Sequence, residues 1–239
     1  MIKLFADGAD MNGIIEAAAN PNIVGFTTNP TLMRQAGVTD YTSFAKTAIK
    51  YLAEQRPGTS LSLEVFADDY ENMLKQARII DSWGEEYNYD VYVKIPVMNT
   101  KSSPSYGLIS QLAGEGIKVN VTAVFTTYQV VNVLNNLRND IPSIVSVFSG
   151  RIADAGVDPM PIIEQGIKDR DENSKIEFLW ASTREAYNYK QAEQCGCDII
   201  TMTPDLIKKL KNFGKDLNQY SLETVKMFYD DATKSGFTI

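Results

Sequence analysis

Val91-Tyr92-Val93-Lys94-Ile95-Pro96-Val97 is an apolar, β-branched run interrupted by one lysine. Its composition predicts a buried strand, and lysine rarely goes fully inside unless something pairs with it. At its ordinary pKa of about 10.4, roughly one lysine in 2,500 is neutral at pH 7. Desolvation disfavours the charged form. A depression of about three units leaves an appreciable fraction as free amine, which can attack a carbonyl. The run therefore suggests Schiff-base chemistry at Lys94. The competing reading is a strand-end lysine whose ammonium snorkels to water.

Outward from this run the same unit repeats. Strands are expected at Ile2–Ala6, Ile23–Phe26, Leu61–Val65, Val91–Ile95, Ile117–Val121, Ile144–Phe148, Ile176–Leu179 and Asp198–Thr201, each followed by a helical pattern. Apolar residues at three- and four-residue spacing predict helices over Thr42–Glu54 and Tyr70–Trp83. Tyr128–Leu137, Met160–Lys168, Arg184–Cys195 and Asp205–Phe213 follow, and a last helix spans Ser221–Lys234. Eight strand–helix units in 239 residues match an α/β fold, a (β/α)8 TIM barrel with an extra C-terminal helix; such barrels run to about 250 residues. A doubly wound open sheet is the alternative. It is disfavoured because no Gly-rich phosphate fingerprint follows the first strand. No linker or charge block divides the chain, so residues 1–239 read as one domain.

Composition excludes several classes of function. The chain is 44% hydrophobic and 22% charged, with net charge −7 and a pI of about 4.8. A nucleic-acid partner is not expected, because phosphate-backbone binding needs clustered Lys and Arg. The one basic cluster, Lys208, Lys209 and Lys211, reads as a solvated face near a helix C-terminus. No apolar run is long enough to span a membrane. The start, Met1-Ile2-Lys3-Leu4-Phe5-Ala6-Asp7, has no signal-peptide pattern, so a cytoplasmic protein is expected. There is no histidine, which removes Ser-His-Asp and Cys-His catalysis and imidazole zinc sites. The Cys195-Gly196-Cys197 pair has too few companion ligands for a metal, and reads as reduced structural thiols.

In a parallel barrel, catalytic groups sit at the C-terminal ends of the strands. Asp7 ends the first strand here, and Thr27-Thr28-Asn29-Pro30 follows the second. Glu64 is on the third and Lys94 on the fourth. Asn120 and Thr122 are on the fifth, Ser146 and Phe148 on the sixth with Arg151 beyond, and Ser182 and Arg184 follow the seventh. Each alone has a plain structural reading. Asp7 could cap a helix, Asn29-Pro30 is a turn signal, Glu64 could pair with a buried cation, and Ser182-Thr183-Arg184-Glu185 is a good helix start. Their coincidence at one end of consecutive strands, with a lysine among them, carries the weight.

With these motifs in view, the sequence resembles the transaldolase family, which includes fructose-6-phosphate aldolase, and especially its short bacterial and phage-type members. The matching motifs are Gly25-Phe26-Thr27-Thr28-Asn29-Pro30, Val93-Lys94-Ile95-Pro96, Asn120-Val121-Thr122-Ala123-Val124-Phe125, Ser149-Gly150-Arg151-Ile152 and Ala181-Ser182-Thr183-Arg184. The resemblance implies a Schiff base between Lys94 and the C2 carbonyl of a ketose phosphate. It implies Asp7 as the base at the C4 hydroxyl, Glu64 as acid/base for imine formation, and Thr122 as the residue holding the water. It further implies Thr27, Asn29, Asn120, Ser146 and Phe148 around a three-carbon dihydroxyacetone unit, and Arg151, Ser182 and Arg184 around the phosphate. No cofactor or metal is implied.

Three positions favour transfer over simple cleavage. Glu64 stands where the aldolases carry glutamine, Phe148 where they carry tyrosine, and Asn120 where they carry an apolar residue. The expectation is a transaldolase of the pentose phosphate pathway, passing dihydroxyacetone from sedoheptulose 7-phosphate to glyceraldehyde 3-phosphate and giving erythrose 4-phosphate and fructose 6-phosphate. The alternatives are an aldolase releasing free dihydroxyacetone, transfer with a sulfonated sugar, and a non-catalytic sugar-phosphate binding protein. Expected partners are sugar phosphates, with neither nucleic acid nor membrane, and the resemblance implies a homo-oligomer, a pentamer or a decamer. The apolar tail Phe237-Thr238-Ile239 and the last helix would serve such contacts or cover their own barrel. Trp180, beside the expected phosphate loop, departs from the common pattern and bears on substrate preference.

Overall fold

In the computed structural model, which describes residues 2–239, the eight apolar runs pair in parallel in sequence order and close on themselves. Met1, the first residue of the N-terminal stretch read above, lies outside the described residues. The strands are β1 (Lys3–Asp7), β2 (Ile23–Thr27), β3 (Ser60–Glu64), β4 (Asp90–Pro96), β5 (Val119–Val124), β6 (Ser143–Val147), β7 (Ile176–Trp180) and β8 (Ile199–Met202). The intervening helices are α1 (Met11–Ala18), α2 (Pro30–Gln35), α3 (Tyr41–Gln55), α4 (Tyr70–Tyr87), α5 (Tyr106–Gly114), α6 (Thr127–Asn136), α7 (Ser149–Asp154), α8 (Met160–Asp169), α9 (Asn188–Gln194) and α10 (Pro204–Lys209). This is the expected (β/α)8 TIM barrel.

Local chemistry sets the helix starts. Asp10, Asp40 and Asp69 accept from the backbone N–H of Gly13, Ser43 and Asn72, capping α1, α3 and α4. Thr126 and Gln129 form a reciprocal capping box on α6. Each such cap stabilises its helix by about 1 kcal/mol. Asp7, which alone could have been a cap, is not one; Asp10 takes that role. Ser182 does not start a helix either. It has φ +64, and the helix is delayed to Asn188, whose side chain accepts from the backbone of Arg184 and Glu185. The expected helix over Arg184–Cys195 is therefore shortened to Asn188–Gln194.

The barrel interior is packed in layers. Phe5, Ile144, Leu179 and Ile199 form one buried cluster, with Tyr92 against it. Gly25 belongs to this layer by necessity, since a Cβ there would lie 2.4 Å from the Phe5 ring. Cys195 and Cys197 are free and buried. Trp180 is buried on β7 between Leu179 and Ala181. Those two residues line the interior cavity described below, so the pleat turns Trp180 outward. It does not narrow that cavity, and among the described residues its buried indole N–H has no hydrogen-bond partner.

The chain divides into two compact units, the barrel up to Ile207 and a second unit, Lys208–Ile239. The second unit holds a 3-10 turn at Leu210–Asn212 and α11 (Leu217–Ser235). Asp216 caps α11, Gly236 ends it at φ 64, and Lys215 pairs with Glu223. Among the described residues no helix is long and apolar enough to cross a membrane.

Candidate active site

Register brings the polar strand ends together. Glu64 pairs with Lys94 across β3 and β4, Lys94 with Asn120 across β4 and β5, and Asp7 with Thr27 across β1 and β2. Side chains at paired positions share a face, so these residues converge on the barrel axis. Of the residues expected at the site, all but Asn120 line one cavity of about 490 Å³: Asp7, Thr27, Asn29, Glu64, Lys94, Thr122, Ser146, Phe148, Arg151, Ser182 and Arg184. A cavity of that size suits a small polar ligand.

Lys94 is 6% exposed, so its ammonium does not snorkel to water. Its Nζ donates to the carbonyl oxygen of Thr28 at 2.7 Å and lies 3.0 Å from Glu64 Oε2. Glu64 is thus the ionic partner of a buried lysine and also a proton acceptor within reach of it. Below Glu64, Tyr41 donates its hydroxyl to the Glu64 backbone carbonyl. Burial, with Glu64 beside it, pushes the Tyr41 phenol upward, so it remains a donor.

Asp7 faces the same space from β1. Burial raises its carboxyl above the ordinary value, and neighbouring Glu64 pushes the same way. Lys94 and the Thr27 hydroxyl oppose the shift without cancelling it. Thr27 donates to Asp7 Oδ1 at 2.8 Å.

The fifth strand supplies two neighbouring residues, Thr122 and Ala123, to one cavity. Alternation forbids this in a regular strand. Here the β5–β6 register shifts between Val121 and Val124, and Ala123 sits at φ +58. The irregularity brings Ala123 to the cavity beside Thr122, which already faces inward on the same side of the strand as Asn120. Among the described residues the buried Thr122 hydroxyl has no hydrogen-bond partner. Asn120 is fully buried behind the cavity wall. It donates to Ser62 Oγ at 3.1 Å and accepts from Ser146 Oγ at 2.6 Å, so it touches the cavity through Ser146. Asn29 caps α2 with its carbonyl oxygen, accepting from the Leu32 N–H at 3.0 Å, which leaves its amide nitrogen for a ligand.

At the rim, Gly150 lets α7 approach the β7 loop, since a Cβ there would fall 1.7 Å from the Ser182 carbonyl oxygen. This contact sets Arg151 of α7 beside Ser182 and Arg184. Arg151 lies 5.9 Å from the Phe148 ring centre. Arg184 is held by Asp154, with Nε at 2.9 Å and Nη2 at 2.6 Å from Oδ2. The pairing with a nearby acid, the plain reading of an exposed arginine, is therefore present. It uses one edge of the guanidinium and leaves the Nη1 donors for an anion.

Sequence reasoning missed Thr28, whose carbonyl holds Lys94, and Thr201, a cavity residue on β8 whose hydroxyl lies 2.6 Å from that of Thr27. A backbone carbonyl leaves no mark in a sequence. Thr201 was legible as the polar residue in Ile199-Ile200-Thr201-Met202.

Taken as chemistry, the cavity holds an amine, two carboxylates in unlike surroundings, an unpartnered hydroxyl and two rim arginines. Comparisons with known proteins point the same way. The family described as Transaldolase/Fructose-6-phosphate aldolase matches residues 4–239. A probable transaldolase of Dehalococcoides mccartyi is 32% identical over 202 residues, covering 84% of this chain and 86% of that protein. A probable transaldolase of Nitrosopumilus maritimus is 30% identical over 235 residues, covering 93% and 97%. Among solved structures, thiamine phosphate pyrophosphorylase from Pyrococcus furiosus shares the fold, with TM-score 0.54, 12% identity and coverage of 84% and 85%. With a family match over almost its whole length, the chain belongs to the transaldolase/fructose-6-phosphate aldolase family and is an enzyme of the aldolase/transaldolase type.

Proposed function

We propose that the protein is a transaldolase, moving a dihydroxyacetone unit between sugar phosphates through a Schiff base on Lys94. The observation that carries this reading is the buried Lys94 amine, 3.0 Å from the Glu64 carboxylate, in one cavity with Asp7. Glu64 accepts a proton from the Lys94 ammonium, and the freed amine attacks the C2 carbonyl of the ketose phosphate. The carbinolamine then loses water. Glu64 supplies the proton for that step, and the unpartnered Thr122 hydroxyl holds the water.

The resulting iminium is an electron sink. Asp7 takes the C4 hydroxyl proton as C3–C4 breaks, the aldose phosphate leaves, and the electron pair is stored as an enamine. The enamine adds to an incoming aldose phosphate, Asp7 returns its proton, and water releases the product. Two carboxylates in different surroundings serve different steps. Thr27, Asn29 and Ser146, with Asn120 behind it, orient the three-carbon unit. Arg151, Ser182 and Arg184 bind the phosphate, Arg being suited by its planar fork.

The substitution of Phe for Tyr at 148 supports transfer over cleavage, because no hydroxyl is offered there to assist protonation of the enamine. The alternative is the aldolase. Assaying fructose 6-phosphate with and without an aldose-phosphate acceptor decides between them. Turnover that requires the acceptor supports transfer, and steady release of free dihydroxyacetone without it favours the aldolase.

A further inference from the structure

Asp7 lies on β1, between β2 and β8, and the two neighbouring strands each bring a buried threonine hydroxyl toward it. Thr27 on β2 is in register with Asp7. Thr201 on β8 is in register with Phe5, one inward position deeper. Thr27 is 3% and Thr201 5% exposed, and buried hydroxyls are in most cases hydrogen-bonded. Thr27 Oγ1 lies 2.8 Å from Asp7 Oδ1 and 2.6 Å from Thr201 Oγ1. Thr183 donates to the Thr201 backbone carbonyl at 3.2 Å and pins the end of β8.

A hydroxyl has one proton to give. An ionised carboxylate only accepts, so the Thr27 proton goes to Asp7, and the short contact with Thr201 then requires Thr201 to be the donor. We propose that Thr201 is a positioning residue for Asp7: its hydroxyl donates to Thr27 and commits the single Thr27 proton to Asp7 Oδ1, leaving Oδ2 for the substrate. Hydrogen bonds in such a chain reinforce one another. The proposal rests on the reading above that Asp7 is the base at the C4 hydroxyl.

The charged groups that act on Asp7 are Lys94, which favours its ionised form, and Glu64, which opposes it. Weakening the Thr27 bond removes part of what counters burial, so a base that must be ionised is lost at higher pH. In Thr201→Val, which keeps shape and removes the hydroxyl, kcat for ketose-phosphate cleavage falls about five- to tenfold with KM little changed. The acid limb of the pH profile moves up by about half a pH unit.

The imine step does not use Asp7, so borohydride trapping of dihydroxyacetone on Lys94 proceeds at the wild-type rate in this variant. Thr201→Ser, which restores the hydroxyl, restores kcat and the acid limb. Thr201→Ala replaces Thr201→Val if the latter does not fold. Wild-type kcat and pH profile in the hydroxyl-free variant overturn the proposal, as does a Thr201→Ser enzyme impaired like Thr201→Val. A wild-type enzyme that forms no adduct on Lys94 overturns the underlying reading and this proposal with it. That result is separate from an intact adduct with an unchanged profile, which overturns the Thr201 assignment alone.

Discussion

Lys94 and Glu64 occupy paired positions on adjacent strands, and their side chains meet at 3.0 Å inside the barrel. Glu64 therefore compensates a buried charge and stands ready to move a proton, two tasks separable by mutation. Glu64→Gln keeps the shape and a polar partner while removing the base. It folds, and imine formation slows about 10²-fold, the lower end of a typical general acid–base contribution. The rate of borohydride trapping with dihydroxyacetone measures this, and an unchanged rate removes Glu64 from the imine step.

Burial of Asp7 links activity to stability. Its carboxyl is raised above 3.8 in the folded protein, so the folded state holds this proton more tightly than the unfolded chain does. Stability from this group is complete below that ordinary value and is lost as pH rises through the folded value. At neutral pH Asp7 is thus a liability to stability. Asp7→Asn raises the melting temperature near pH 7 and abolishes C3–C4 cleavage, while the difference in melting shrinks as pH falls toward 4. Thermal melts across this range check it, and a lower melting temperature at pH 7 contradicts it.

Phe148 lines the cavity beside Phe125, ring centres 5.8 Å apart. Phe148→Tyr introduces a hydroxyl that helps protonate the enamine. Release of free dihydroxyacetone from fructose 6-phosphate without acceptor rises by about tenfold, the scale of one added hydrogen bond at the reacting centre. No gain in free dihydroxyacetone argues against this account of transfer.

Arg184→Ala removes one charge-assisted contact to the phosphate, raising KM for phosphorylated substrates about 10- to 100-fold. Trapping of unphosphorylated dihydroxyacetone is unaffected. Its ion pair with Asp154 is exposed, so stability changes by less than about 1 kcal/mol. Equal losses for phosphorylated and unphosphorylated ligands take Arg184 out of the anion site.

The barrel was legible because buried parallel strands are continuous apolar runs and helices carry their own periodicity. Boundaries drifted where geometry is irregular. β5 was expected at Ile117–Val121 but runs Val119–Val124, since nothing in the residues announces a register shift or the positive φ of Ala123. Six-residue α7 is too short for a periodic signal, and Gly150, which makes its close approach feasible, declares its purpose only beside the Ser182 carbonyl. The polar strand ends were legible one by one as far as the seventh strand. That Asn120 stands behind Ser146 depends on how β5 pairs with β6, and that Thr27 is bracketed by Asp7 and Thr201 depends on barrel closure, which joins β1 to β8 across the whole length of the sequence.

The central claim is that Lys94 carries the substrate covalently. Fructose 6-phosphate is added to the enzyme with borohydride, and the product is examined by intact mass and peptide mapping. This account requires a stable adduct on Lys94 with the mass of a reduced dihydroxyacetone unit. Folded enzyme with no adduct on Lys94 across several ketose phosphates contradicts it.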